Sequence, residues 1–231
     1  MSLNIINAKD IKEKKQTHLW YGAPGKGKTS TVKYLEGKTL VLDIDRTSHV
    51  LKGIENIDIE YIDNIDTWTH WEEVLLELTK NYVGVYDNVV VDNVSELERC
   101  ILSNLGALGK NNGVPSQGDY QYMQFRMVNS LRYMKSIDSN LIWLAWEEYD
   151  LFHDFDGTQY TMVQPQINKR IKNNILGLCD VVARLVVKDD GERGFVLTST
   201  NTTLAKNQID DRKGCLQHEI MKNNMKHEGD K

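Results

Sequence analysis

The chain has 231 residues, of which 40% are hydrophobic and 26% charged, and its formal net charge is −5. This composition is typical of a globular protein, and it excludes a disordered chain, a fibre and a protein that coats nucleic acid by overall positive charge. Three scattered cysteines without a CxxC pair argue against a disulfide framework or a zinc cage and fit a reducing cytoplasm. We expect no signal peptide in the polar residues 1–16 and no membrane span, because the longest strongly apolar stretch, 141–146, is too short.

Strand-like and helix-like segments alternate along the chain, which favours an α/β fold with a mostly parallel central sheet flanked by helices. In chain order, the predicted elements are a strand (18–21), a helix (28–35), strands (39–43 and 57–62), a helix (67–78), a strand (88–91) and a helix (94–105). After a flexible loop at 106–118 come a helix (120–137), a strand (141–146), a loop or hairpin (150–161), a helix (164–176) and an antiparallel hairpin (181–187 with 195–199). We therefore expect an N-terminal arm (1–16), a core (17–200) and a polar C-terminal tail (201–231).

A glycine-rich segment follows the first predicted strand. Residues 22–29 match the GxxxxGK[ST] motif of phosphate-binding loops in full. Glycines let backbone N–H groups surround a phosphate, the lysine neutralises the β- and γ-phosphates of a nucleotide, and the threonine hydroxyl is a ligand for Mg²⁺. The motif predicts ATP and Mg²⁺ as cofactors, bound by Gly22, Ala23, Pro24, Gly25, Lys26, Gly27, Lys28, Thr29 and Ser30.

Acidic residues end two of the predicted strands. The apolar run 89–91 ends in Asp92, the pattern of a Walker B motif, and we expect Asp92 to hold Mg²⁺ together with Thr29. Asn93 follows, where many ATPases have a catalytic glutamate, so a general base must come from elsewhere. Asp45 lies just past the strand 39–43, at the edge where ligands collect in open α/β sheets. It is our candidate for the base, and a turn or helix-cap aspartate is the alternative.

The loop 22–29, the strand that leads to Asp45 and the strand 89–92 together resemble the RecA-like core of P-loop ATPases. More closely, most of 17–214 resembles the phage-encoded AAA-domain nucleotide-binding proteins, the compact RecA-like annealing ATPases of the Sak-four group. The resemblance implies an ATPase that binds single-stranded DNA, assembles with itself in rings or filaments, and promotes annealing or strand exchange in the host cytoplasm. It also implies a possible single-strand-binding or replication protein as a partner. By the same resemblance, Lys28 binds ATP, Asp92 is the Walker B acid, and Asp45 takes the place of the catalytic carboxylate.

The resemblance also implies two DNA-binding loops, at 106–118 and 148–163. The first contains Lys110, Asn111 and Asn112, whose basic and amide groups suit phosphates. A solvated flexible loop is the alternative for it. The second contains Phe152 and Tyr160, aromatic groups that suit unpaired bases, although neighbouring acids oppose phosphate binding.

Lys206 and Arg212 resemble a stretched form of the Lys/Arg finger of RadA- and DnaB-type ATPases, which reaches the γ-phosphate of a neighbouring subunit. Solvated surface cations are the alternative for both. Glu147 stands where the family usually has a neutral polar sensor, and its carboxylate would repel the γ-phosphate unless a cation covers it. We expect Lys206 or Arg212 to cover it across a subunit interface, and Glu147 is a second candidate for the general base.

Two further functions stay open. A nucleotide-gated scaffold or loader for a replication or recombination partner would bind ATP and turn it over slowly. The second of these functions is that of a small-molecule kinase, which the similarity of Asp45 and Arg46 to the Asp-Arg motif of nucleoside kinases favours. That motif stands too close to the glycine-rich loop here, and the arginine-rich lid of such kinases is missing. The ATPase rate with and without single-stranded DNA separates these functions.

Overall fold

Helices and strands alternate along the chain, as the sequence predicts. The computed structural model describes residues 5–10, 15–153 and 156–222. Its strands are β1 (Thr17–Gly22), β2 (Thr39–Asp43), β3 (Ile57–Tyr61), β4 (Asn88–Asp92), β5 (Asn140–His153), β6 (Gln159–Pro165), β7 (Val181–Val187), β8 (Arg193–Val196), β9 (Lys206–Asn207) and β10 (Gly214–Leu216). Its α-helices are α1 (Lys28–Thr31), α2 (Thr67–Asn81), α3 (Val94–Leu108), α4 (Gln117–Met134) and α5 (Lys169–Leu178).

The strands form one sheet in the order β10-β8-β7-β1-β5-β4-β2-β3, with β6 paired to β5 and β9 paired to β7. All neighbours from β7 to β3 are parallel. The pairs β7–β8, β8–β10, β5–β6 and β7–β9 are antiparallel. The predicted α/β fold, with a mostly parallel sheet and a C-terminal antiparallel hairpin, is confirmed. In this order β5 separates β1, which leads into the glycine-rich loop, from β4, which ends in Asp92.

The central strands are apolar on both faces because both faces are covered. Val89 and Val91 of β4 pack in the core that contains side chains of α2 to α5. Val90, between them, packs on the other face with Val32, just after α1, and with Phe195 of β8. Strands covered on both sides have continuous apolar runs rather than alternating ones, which is why β2 and β4 could be predicted at nearly their true bounds.

Two helices begin where a capping residue allows, and not at the predicted positions. The helix α4 begins earlier, because Ser116 and Asp119 form a capping box. The helix α5 begins later, because Gln164 and Pro165 still belong to β6 and the side chain of Asn168 accepts a hydrogen bond from the backbone at the helix start. The predicted helix at 164–176 is therefore wrong at its beginning.

The strand predicted at 141–146 continues to His153 and folds back as a hairpin with β6. The hairpin, one of the two alternatives for 150–161, is thus confirmed. Beyond Trp146 the side chains alternate between half-buried and exposed, so no apolar run marks this part of β5. Pairing with β6 stabilises it in place of burial in the core. Residues 154–155 lie outside the described residues.

The segment after residue 200 belongs to the folded core. We predicted a polar tail at 201–231, but β9 and β10 join the sheet and Ile220 is buried. The side-chain amide of Gln217 donates to the carbonyl oxygen of Gly27 at 3.1 Å and to the hydroxyl of Thr31 at 2.9 Å. These bonds fasten the C-terminal segment to α1. Residues 223–231 of the tail, and residues 1–4 and 11–14 of the predicted arm, lie outside the described residues.

A buried histidine on β1 is held in its neutral form. Trp20 donates its indole N–H to Nδ1 of His18 at 3.2 Å, and Nε2 of His18 lies 2.8 Å from the side-chain oxygen of Gln16. Since Nδ1 accepts a hydrogen bond, the proton of the neutral ring is assigned to Nε2. Protonation of Nδ1 would break the bond to Trp20 and place a charge in the core.

We expect the protonation of His18 to make the protein less stable in acid. Burial lowers its pKa from 6.5 to about 4, with Arg212 adding to the shift and Asp180 opposing it. Because the folded pKa lies below the unfolded one, the unfolded chain binds the extra proton first, and stability falls as the pH drops from about 6.5 to 4. The loss is about 3 kcal/mol when complete. Urea unfolding across this range should show a smaller fall for His18→Gln than for the unchanged protein. A His49→Gln control, at an exposed histidine, should keep the original slope, and an equal slope in His18→Gln would contradict the assignment.

Candidate functional site

The carboxyl ends of β1, β2 and β4 meet around one cavity. Its volume is about 560 Å³, a size that suits a small-molecule ligand. Six residues of the glycine-rich loop and its helix line the cavity: Pro24, Gly25, Gly27, Lys28, Thr29 and Ser30. Gly22, Ala23 and Lys26 of the predicted set do not line it. Asp45 and Asp92 line the same cavity, so the structure brings together residues that the sequence places far apart.

The loop 22–29 has the conformation that its glycines allow. Gly27 has a φ of 100°, in the region that side chains other than glycine rarely adopt. A Cβ atom on Gly22 would lie 3.0 Å from the carbonyl oxygen of Leu185, so the close packing of β7 requires glycine there. The ammonium of Lys28 donates to the carbonyl oxygens of Gly22 at 2.8 Å and Ala23 at 3.1 Å. Burial lowers the pKa of Lys28, and the charges of nearby carboxylates oppose that shift.

Three oxygen-bearing side chains converge at the start of α1. The hydroxyl of Thr29 donates to Oδ2 of Asp92 at 2.6 Å, and the hydroxyl of Thr47 lies 3.3 Å from both groups. Asp43 holds the turn that carries Thr47, because its carboxylate accepts from the backbone N–H of Thr47 at 3.3 Å. Hydroxyl and carboxylate oxygens are the ligands that Mg²⁺ prefers, so Thr29 and Asp92 fit the predicted ion. Burial first, and then the charge of Asp43, raises the pKa of Asp92 to about 6; a bound cation would favour its ionised form.

Asp45 lines the same cavity as the glycine-rich loop. Its Oδ2 accepts a hydrogen bond from the side-chain amide of Asn93, and its Oδ1 is buried with no partner among the described residues. Partial burial first, and then the charge of Asp92, raises the pKa of Asp45 to about 7. A carboxylate with an oxygen that has no hydrogen-bond partner and with a pKa near the operating pH has the properties of a general base. Arg46, the next residue, donates instead to the carbonyl of Ile62 at 2.9 Å, outside the cavity lining.

Glu147 has a cation partner within its own chain. Its carboxylate lies 3.1 Å from Nε of Arg184 and accepts from the hydroxyl of Tyr149 at 3.0 Å. Arg184 lies on β7, next to β1 in the sheet. Strand pairing therefore brings Arg184 to this carboxylate, so Glu147 has a cation without one from a neighbouring subunit. Neutralisation by Lys206 or Arg212 across an interface stays a prediction.

Lys206 and Arg212 are both engaged within the chain and are not free surface cations. The ammonium of Lys206 donates to the carbonyl oxygens at the end of α5, the shortest bond being 2.6 Å to Cys179. The guanidinium of Arg212 lies 2.7 Å from Asp210 and donates to the carbonyl oxygen of Glu219 at 2.8 Å. These cations stabilise the ends of local elements, and a finger role, which stays a prediction, would require them to leave these partners.

The predicted DNA-binding residues lie on two separate surface elements. Lys110, Asn111 and Asn112 are exposed in the turn between α3 and α4. Phe152 and Tyr160 face each other across the β5–β6 hairpin, with ring centroids 5.9 Å apart and ring planes 19° apart.

Two acids of the second loop have cation partners. Asp150 pairs with Lys169 at 2.8 Å, and Glu148 pairs with Lys172. The objection that the acids of this loop repel phosphate is therefore weaker for Asp150, but it stands for Asp156, which has no cation partner within the described residues; residue 154 lies outside them.

Sequence reasoning missed Thr47, Glu96 and the role of Asn93. Glu96 lines the cavity from the first turn of α3. From the sequence, Asn93 indicates only a missing carboxylate, whereas in the structure its side-chain amide donates to Asp45 and its side-chain carbonyl caps α3. Thr47 follows β2 by a few residues, so the argument that ligands collect at strand ends could have identified it.

Comparisons with known proteins place the chain in a family. A family model described as an AAA domain matches residues 14–209, which is most of the chain. A search of curated proteins finds no match. Within the described residues, no helix combines the length and the apolar character needed to cross a membrane. The matched range contains both the glycine-rich loop and the acids that face it, so the chain belongs to an AAA domain family of P-loop nucleotide-binding ATPases.

Proposed function

We propose that the protein is a Mg²⁺-dependent ATPase of the RecA-like branch that binds single-stranded DNA and promotes annealing or strand exchange as a homo-oligomer. The proposal includes a phage origin, action in the host cytoplasm, and DNA-stimulated turnover. The observation that carries it is the continuity of β5. This strand lies between β1 and β4 in the sheet and continues, without a break, into the hairpin that bears Phe152 and Tyr160.

The hydrolytic step follows from the positions of the side chains in the cavity. The backbone of the loop 22–29 and the ammonium of Lys28 hold the phosphates. Thr29 and Asp92 would hold Mg²⁺, which shields the phosphate charge when bound. Oδ1 of Asp45, which has no hydrogen-bond partner, accepts a proton from the attacking water, while the hydrogen bond from Asn93 to Oδ2 orients the carboxylate.

The hairpin supplies a surface that suits unpaired bases. Trp146 of β5 is in register with Gly22, so the seven residues from Glu147 to His153 extend beyond the end of β1. At about 3.4 Å per residue, this part of the hairpin projects by roughly 20 Å. Aromatic faces bind any base by stacking, and the salt bridges of Asp150 and Glu148 lower the negative charge beside them.

We expect binding to prefer single-stranded over double-stranded DNA and to weaken steeply with salt, because phosphate contacts release counterions. Phe152→Ala or Tyr160→Ala should weaken binding by roughly 5–100-fold, the value of one stacked base. Lys110→Ala should lower the salt slope by about 0.7, the contribution of one phosphate contact. Fluorescence anisotropy with a labelled oligonucleotide measures both effects.

The chain offers a matched control for the aromatic variants. Tyr82 and Tyr86 form another stacked pair, with centroids 6.0 Å apart, at a distance from the hairpin along the chain and in a different surface groove. Tyr82→Ala should bind DNA like the unchanged protein. Equal affinity for single and double strands, or no binding at low salt, would contradict the recombination function.

The ATPase rate separates the proposal from its main alternative. Turnover that single-stranded DNA stimulates supports the recombination ATPase. Tight ATP binding with very slow turnover, with or without DNA, would favour the nucleotide-gated loader. The hydrogen bond that Asn93 makes to Asp45 is the feature that favours this alternative, because it occupies one oxygen of the candidate base.

A further inference from the structure

An arginine that the sequence motifs do not include lies against the phosphate-binding loop. Arg193 is the first residue of β8, and it follows the short turn that connects β7 to β8. A Cβ atom built on Gly27 would lie 3.2 Å from Nε, 3.4 Å from Cδ and 3.5 Å from Cζ of Arg193. The guanidinium group and the end of its stem therefore lie beside the loop, on the side of Gly27 where a Cβ atom would project. Arg193 is not itself among the residues that line the cavity.

The side chain of Arg193 makes no polar contact within the part of the chain that the structure describes. This side chain is exposed, and none of its nitrogen atoms has a hydrogen-bond or ion-pair partner there. Glu192, the acid next to it, is paired with Lys188 across the turn. By contrast, Arg184 and Arg212 are each held by a carboxylate. Arg193 thus has five N–H donors available beside the loop.

The charges of the cavity explain why another cation is needed there. The lining contains the carboxylates Asp45, Asp92 and Glu96 but only one lysine, Lys28. A nucleoside triphosphate adds several negative charges to this wall, which Lys28 and one Mg²⁺ only partly balance. A planar guanidinium is well suited to a phosphate, because it donates two parallel hydrogen bonds to its oxygens.

We propose that Arg193 binds the polyphosphate of the nucleotide from within the same chain, as a phosphate-binding residue additional to Lys28. This inference rests on the proposed nucleotide site and extends it to the β7–β8 hairpin. It also explains the tight packing of the C-terminal half on the loop, where β7 contacts Gly22 and Gln217 is bonded to Gly27. The hairpin that carries Arg193 is held at the loop by these contacts.

The test uses two replacements at the same position in the full chain. Arg193→Met keeps an apolar stem on Gly27 and removes the charge, whereas Arg193→Lys keeps the charge and removes the planar fork. Affinities are measured by calorimetry for Mg²⁺–ATP and for inorganic tripolyphosphate, which lacks the base and the ribose. We expect Arg193→Met to weaken both by about tenfold or more at low salt, as for the loss of a charge-assisted hydrogen bond. Arg193→Lys should be intermediate, and the loss should shrink in about 1 M salt, because the group is exposed.

Two controls make a negative result informative. Arg170→Met removes an exposed arginine of α5 whose atoms are not among those that approach Gly22, Gly25 or Gly27 of the loop, and it should bind both ligands like the unchanged protein. Lys28→Ala tests the nucleotide site itself. If Lys28→Ala loses binding and Arg193→Met binds tripolyphosphate normally, the role of Arg193 is wrong and the nucleotide site stands. If Lys28→Ala also binds normally, the nucleotide site is wrong.

Dilution tests whether the contact is made within one chain. If the contact is made within the chain, Arg193→Met loses the same fraction of its phosphate affinity at every protein concentration. If the difference in affinity between Arg193→Met and the unchanged protein disappears on dilution below the assembly concentration, Arg193 binds the phosphates of a neighbouring subunit and the inference is overturned.

Discussion

Replacing Lys28 with alanine is expected to abolish ATP turnover and to weaken nucleotide binding, while the fold stays intact. The side chain of Lys28 is buried beside the loop, and among the described residues Lys28 is the only lysine that lines the cavity. In the proposed mechanism it neutralises phosphate charge more strongly in the transition state than in the bound substrate, and the loss of one such donor typically costs about 10²–10³-fold in rate. Phosphate release measured at saturating ATP gives the rate, and a binding titration gives the affinity.

The fold of Lys28→Ala should survive because its bonds to Gly22 and Ala23 are local and burial already disfavours its charge. Circular dichroism and a thermal melt test this. Lys33→Ala, at an exposed lysine just after α1, removes the same charge and should keep the rate of the unchanged protein. An unchanged rate in Lys28→Ala would remove the basis for the nucleotide site.

The parallel core could be predicted from the sequence because its signals are local. The strands β2 and β4 are continuous apolar runs, and the glycine-rich loop marks the end of β1 by itself. The outer part of β5 has no such signal, since its residues alternate and depend on pairing with β6. The C-terminal segment looked like a polar tail because its contacts are hydrogen bonds, such as those of Gln217 to α1, and not apolar side chains.

The residues of the candidate site also fall into those with a local sequence signal and those without one. The residues of the loop 22–29 are contiguous and form a known motif, so their position could be predicted. Thr47 reaches Asp92 only because β2 and β4 are adjacent, with Asp43 opposite Asp92. Arg184 is brought to Glu147 by β7, and Arg193 is brought beside Gly27 by β8. Both strands follow the loop by more than 150 residues in the chain. Their positions depend on strand order, which the composition of the C-terminal segment does not reveal.

The identity of the general base is tested by removing one carboxylate at a time. Asp45→Asn should bind ATP and Mg²⁺ as well as the unchanged protein does, or more tightly, because a negative charge opposite the phosphates is lost. The side-chain oxygen of the new asparagine can still accept from Asn93, so the turn should keep its shape. Without a group that accepts a proton, turnover should fall by roughly 10²–10⁴-fold.

The carboxylates of Glu147 and Glu96 provide the comparison for Asp45. Glu147→Gln removes the ion pair with Arg184, and since that pair already occupies the carboxylate, the rate of hydrolysis should change by less than about tenfold. Glu96→Gln removes the other carboxylate of the cavity wall, which lies on α3. It should also keep most of the activity, because Asp45 has the buried oxygen without a partner. Single-turnover measurements at saturating ATP separate the chemical step from product release. If Asp45→Asn keeps the full rate and either glutamine variant loses it, the base is that glutamate, and Asp45 only shapes the turn after β2.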